Sequence, residues 1–222
     1  APWCDEGWFA NAAYNLAFNG HMGSNIQEPS GHFLNSYLKG IREHTYVVVP
    51  YDLVSLSGWY RLFGFSLFTT RTHSILWGSV ALLSLFVLVL TASGDRTAAL
   101  LATALCSLDV TFLWGAADGR VDMMCVAFLM ASYAAYFALR RKNFTAAFLT
   151  AHSLAAISCM SHANGGLAVI GLALLTWRLD RARFERRLLW LAAIPYSVAL
   201  LTWAPYILQS PSDWLVQFPA NA

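Results

Sequence analysis

Behind residue 73 the chain runs as a series of apolar segments with short charged loops between them, at about 74–92, 98–116, 122–139, 144–160, 163–178 and 188–208. A helix needs about 20 mostly apolar residues to cross the hydrocarbon core, and within lipid every backbone polar group must be satisfied inside the segment. Six such runs point to an all-α integral membrane protein, a multi-span helical bundle. The 58% hydrophobic and 12% charged content agrees, since soluble domains lie nearer 45–50% and about 25%.

The net charge is only +2, so its placement is more informative than its total. With residues 1–73 placed outside, the inner loops hold Arg96, then Arg140, Arg141 and Lys142, then Arg178, Arg181, Arg183, Arg186 and Arg187. The short outer loops hold only Arg120. Cytoplasmic loops carry such an excess of Lys and Arg. The expected division is therefore an outer loop over 1–73, a bundle of about six helices over 74–208, and the start of the next outer loop over 209–222. The compact loops favour a bacterial inner membrane, with residues 1–73 periplasmic. The opening Ala1-Pro2-Trp3, with no initiator Met or leader, predicts a piece lacking an upstream helix.

Within the first 73 residues, 5–19 reads as a helix that is too short and too polar to span. Gly20, Gly23, Pro29, Gly31 and Gly40 mark 20–44 as a loop, and Pro50 suits the first turn of a second helix over about 51–63. Leu53, Leu56, Trp59, Tyr60 and Phe63 share a face of it, so both helices fit the membrane interface. Cys4, Cys106, Cys125 and Cys159 form no CxxC, and read as packing residues rather than a disulfide or zinc framework. No basic stripe with interleaved aromatics suggests nucleic acid.

Each chemical candidate has a plainer reading beside it. Asp5 and Glu6 can act as general base or divalent-metal ligands, or compensate the helix dipole. Arg71 can bind a phosphate in bidentate fashion, or reach for headgroups. Arg120 and Asp122 can fold back to the same site, or Asp122 can cap the next span. His162 can serve as ligand or acid–base group, or as an ordinary turn residue. Asp109, inside an apolar run, is either functional or brought to the surface by tilt.

The order of these pieces resembles a known family. Asp5-Glu6 before an amphipathic helix, then Tyr46 to Pro50, the FG-x-S-x-F-x-x-R run ending at Arg71, and Gly119-Arg120-Val121-Asp122 are similar to the N-terminal half of GT-C glycosyltransferases of the family 39 group. That group holds protein mannosyltransferases and aminoarabinose-lipid A transferases. The resemblance covers most of 5–210 and implies a GT-C-like bundle with interfacial helices in the first outer loop. It implies a polyprenyl-phosphate sugar as donor, Asp5 at the catalytic centre with Glu6 beside it, and Arg71 at the donor phosphate. Arg120 and Lys39 are expected to help there, with Asp122, His162 and Tyr46 in support. Val49-Pro50-Tyr51 departs from the Pro-Pro-Leu-type stretch of many relatives, which leaves the acceptor side open.

The expected function is sugar transfer from the lipid donor to a lipid, protein or glycan at the outer membrane face. The sugar and the acceptor stay open. A divalent metal at Asp5 and Glu6 is left open too, with no other cofactor implied. The alternatives are a lipid or solute transporter or flippase, and a GT-C-like scaffold without the reaction. The first is disfavoured because the spans show no internal repeat.

Overall fold

Ten α-helices organise the described residues of this computed structural model, which are 4–25 and 38–219, with side chains described from Glu6. No strand occurs among them. The first helix, α1 (Cys4–Phe18), and α2 (Tyr51–Phe63) form close to the two short helices expected over 5–19 and 51–63. They pack through Phe9, Ala13, Leu53, Leu56 and Tyr60, and Arg61 Nε donates to the Ala17 carbonyl at 2.9 Å.

The long α3 (Leu67–Ser93) starts earlier than the apolar run suggests, because Ser66 caps it by accepting from Thr69 N at 3.0 Å. Arg71 therefore lies within α3, near its mouth. Gly94, at φ 74°, ends the helix by sending its N–H to the Leu90 carbonyl. At 27 residues it is about 40 Å long. Only 17% of the residues in its most apolar stretch are fully buried within the protein, although α3 packs along the helices Asp122–Leu139 and Arg96–Leu108.

The expected span over 98–116 is broken. It forms α4 (Arg96–Leu108) and α5 (Val110–Ala117), bent 65° from each other at Asp109. Asp109 takes an extended backbone and accepts from Phe112 N at 2.9 Å, so the acid in the apolar run is a cap. A hydropathy window registers the run as continuous, whereas a carboxylate that can cap competes with the helix for its own backbone.

The next two helices, α6 (Asp122–Leu139) and α7 (Phe144–Ser161), follow the expected bounds closely. The segment expected over 163–178 is a 3-10 turn and then α8 (Gly166–Asp180), 15 residues long, short of the length needed to span alone. After α9 (Arg187–Ile207) the chain closes with α10 (Pro211–Gln217). Four helices, α3, α6, α7 and α9, are thus long and apolar enough to cross a membrane, and the bent α4–α5 pair raises that to five. The count of six is reduced by the break and by the short α8.

Successive helices reverse direction, so the bundle has two chemically distinct ends. One collects α1, α2, the turns at 118–122 and 162–165, and α10. Gln217, fully buried, ties this end together: it accepts from Tyr46 N at 2.7 Å and donates to the Lys39 and His44 carbonyls at 2.7 and 3.0 Å. Tyr46 OH donates to the Tyr206 carbonyl at 2.7 Å. The other end holds the Arg-rich loops, where Asp180, 3% exposed, meets Arg140 Nε at 2.6 Å and accepts from Tyr136 OH at 2.7 Å.

Removing one partner of a buried ion pair strands the other charge. Asp180→Asn should therefore destabilise the bundle by roughly 3–5 kcal/mol. The check is a lowered melting temperature in detergent micelles, and an unchanged melting curve would show that Arg140 finds water.

Candidate active site

A carboxylate and an arginine from opposite ends of the N-terminal region meet at the mouth of α3. Glu6, in the first turn of α1, is 1% exposed. Arg71 grips it with two parallel bonds, Nε to Oε1 at 2.8 Å and Nη2 to Oε2 at 3.0 Å. Such fork-to-fork pairs are strong and fixed in direction. The Arg71 side chain remains 35% exposed, so its other edge faces outward.

The turn at 118–122 closes over this pair. Gly119 has φ +54°, and a Cβ there would lie 2.8 Å from Thr70 Cγ2 and 3.0 Å from Glu6 Oε1. The position therefore needs glycine for both backbone and space. Thr70 is held by Tyr60 OH at 2.6 Å, and Ser74 Oγ donates to the Arg120 carbonyl at 3.3 Å, which pins the turn to α3. From this turn Arg120 Nε bonds Asp122 Oδ2 at 2.8 Å, and His162 Nε2 lies 3.5 Å from Asp122 Oδ1. Both Arg120 and Asp122 are partly exposed.

Two cavities flank the Gly119 turn. A small one of about 160 Å³ touches Glu6, Phe65, Leu67 and Thr70. A larger one of about 590 Å³ lies at the α4–α5 break. Asp109, Asp118, Arg120 and Asp122 line it, with Phe112, Trp114 and Met123 among its apolar walls.

Of the residues expected from the sequence, Glu6, Arg71, Arg120, Asp122 and His162 gather at one end of the bundle. Asp5 lies beside Glu6 in α1, but its side chain falls outside the described residues. Lys39 is exposed in the turn near α10, and Tyr46 is buried in the Gln217 tie, so both belong to a neighbouring patch. Both Glu6 oxygens are occupied by Arg71, so a metal held there has to displace it. The described residues contain no group of three side chains able to hold a metal ion.

Asp52 was missed. It sits in the first turn of α2, 2% exposed, and its Oδ1 has no hydrogen-bond partner. Its place in that turn favours the anion. Burial, with the Asp122 charge adding to it, outweighs this and pushes the carboxyl up to about 8. The signal was present in the sequence: Asp52, Leu56 and Tyr60 recur every fourth residue, so the acid lies on the apolar stripe. His73, also buried, links α2 to α3 through Ser55 Oγ at 2.8 Å and accepts from Trp77 Nε1 at 3.0 Å.

A sequence model of the family described as dolichyl-phosphate-mannose-protein mannosyltransferase matches residues 53–208, more than two thirds of the chain. The matched stretch includes Arg71, Arg120, Asp122 and His162 and begins after Asp5 and Glu6. No curated protein and no solved structure gives a significant match.

The raised Asp52 carboxyl sets a pH dependence. Unfolded, the group ionises near 3.8; folded, near 8. Between these values only the folded state holds the proton, so the contribution to stability is full below the lower value and is lost as pH rises through the upper one. Asp52→Asn should remove a slope of about 1.4 kcal/mol per pH unit over that window and leave the variant more stable at about pH 8. Melting curves across pH in detergent would show it, and parallel curves for the two proteins would place Asp52 in contact with water.

Proposed function

The chain belongs to the dolichyl-phosphate-mannose-protein mannosyltransferase family, and on that premise we propose that it moves a sugar from a polyprenyl-phosphate donor to an acceptor at the membrane face where α1 and α2 lie. Membership makes it a membrane glycosyltransferase of the GT-C type. The observation that carries the finer reading is the bidentate Glu6–Arg71 contact, with the Arg120–Asp122 pair on the neighbouring turn.

The acceptor oxygen or nitrogen attacks the anomeric carbon, forms the new bond there, and the carbon–oxygen bond to phosphate breaks. The electron pair leaves with polyprenyl phosphate. Asp5 takes the proton from the acceptor. Glu6 aims Arg71, and Arg71 and Arg120 offset the charge that develops on the leaving phosphate. The 590 Å³ cavity offers apolar walls for a prenyl chain, and Arg120, set among Asp109, Asp118 and Asp122, is its one cationic lining group among the described residues. The face concerned is the non-cytosolic one, because Arg96, Arg140, Arg141 and Lys142 and the 178–187 arginines lie at the opposite end.

The test is purified protein with polyprenyl-phosphate sugars, reading release of polyprenyl phosphate. Asp5→Asn should lower turnover by about 10²–10⁴-fold while the melting curve is unchanged. Full turnover by the folded variant would remove the base assignment. Arg71→Lys keeps a charge for Glu6 but loses the fork. It should lower kcat/KM for donor by about 10–100-fold, with acceptor use little altered. Translocation of intact lipid without release would make the protein a flippase instead.

A further inference from the structure

A third cavity, about 480 Å³, lies at the opposite end of the bundle among α7, α8 and α9. Its walls are apolar: Phe148, Val169, Phe184, Leu189 and Ala192 line it. Its polar lining is sparse: His152 Nδ1 and Tyr196 OH lie 2.8 Å apart and satisfy each other, while the buried Thr176 Oγ1 has no hydrogen-bond partner. Water would find few partners in such a space, and an empty one forfeits dispersion contacts along its whole lining. Its volume is typical of ligand pockets, which run to roughly 300–1,000 Å³.

The rim tells what the occupant carries. Trp177 is 66% exposed, and Arg181, one turn further on, stacks its guanidinium over that ring at 5.3 Å from the centroid. A tryptophan so placed sits at the level of headgroups. Around it the charge is uncompensated. Asp180 is taken by Arg140 and Arg183, and Glu185 by Arg187. Arg178, Arg181 and Arg186 make no ion pair among the described residues. An apolar cavity beneath free guanidiniums is complementary to a molecule with a hydrocarbon chain and a negatively charged head.

We propose that this cavity binds an anionic phospholipid, one acyl chain filling the space between α7, α8 and α9 and the phosphate resting on Arg181. The site is remote from Glu6 and Arg71 and takes a membrane lipid as a resident ligand rather than as substrate. Trp177 packs against the glycerol region, and Arg178 and Arg186 add to the field.

Native mass spectrometry of the purified protein, exchanged into micelles holding equal phosphatidylglycerol and phosphatidylcholine, tests it. The expected result is retention of phosphatidylglycerol over phosphatidylcholine. Arg181→Ala should cut that preference about five-fold, the effect of one guanidinium at an anionic surface. Arg181→Glu should abolish it. Ala193→Phe, at the cavity mouth, should lower retention of both lipids with the melting temperature kept. Equal retention of the two lipids by the unaltered protein, or no retention of either, overturns the proposal. So does a preference that survives Arg181→Glu, or lipid retention that Ala193→Phe leaves intact in a folded protein.

Discussion

Glu6 is a carboxylate with almost no water, and Arg71 is what makes its charge tolerable. The two residues come from helices separated by most of the N-terminal region, so the pair fastens α1 to the first spanning helix at one fixed point. The rest of that end is arranged around it. Gly119 lacks a side chain where one would strike Glu6, and Thr70 is held aside by Tyr60. The turn that carries Arg120 and Asp122 is thereby drawn to the mouth of α3. A point charge would not do this, because a lysine lets its partner swivel whereas a guanidinium fork fixes direction as well as distance.

The far end of the bundle uses the same device for another purpose. Asp180 gathers Arg140, Arg183 and Tyr136, and so returns the short α8 to the level of its neighbours. Between the two ends the helices present mostly hydrocarbon, and packing there relies on small residues such as Ala127, Ala151 and Ala155. Specific charge contacts at the rims and unspecific close packing between them suit a bundle whose surroundings are themselves apolar. The hydrophobic effect cannot hold two helices together inside lipid, so the polar ends must fix the register.

Much of this was legible in the residues. The helix over 51–63 followed from Pro50 and a five-residue apolar stripe, of which Leu53, Leu56 and Tyr60 are buried and Phe63 is exposed, and the division of charge between ends followed from where Arg and Lys stand. The break at Asp109 was not legible, because hydropathy averages over a residue that acts through one hydrogen bond to Phe112 N. Nor was the pairing of Glu6 with Arg71, since the two are 65 positions apart and each had a plausible local use. Asp52 illustrates a different loss. Its i, i+4 relation to Leu56 and Tyr60 was present, but an acid in a first turn is so ordinary that its burial went unread. Tyr46 was grouped with the site by its order in the family pattern and Lys39 by its charge, whereas Gln217 binds them to α10.

Pairing also bears on the proposed chemistry. Each of the two arginines near the site already has its own carboxylate, Arg71 with Glu6 and Arg120 with Asp122. A site neutralised in this way attracts a singly charged phosphodiester only weakly. As the bond to the sugar breaks, the phosphate gains a second negative charge, and the exposed edge of Arg71 interacts with it more strongly than with the intact donor. Binding that strengthens only as charge develops lowers the barrier rather than deepening the ground state. Bare arginines would hold donor and product alike, and the product would leave slowly. In the proposed transfer Glu6 would raise turnover without touching the sugar, by limiting what Arg71 offers before the reaction begins.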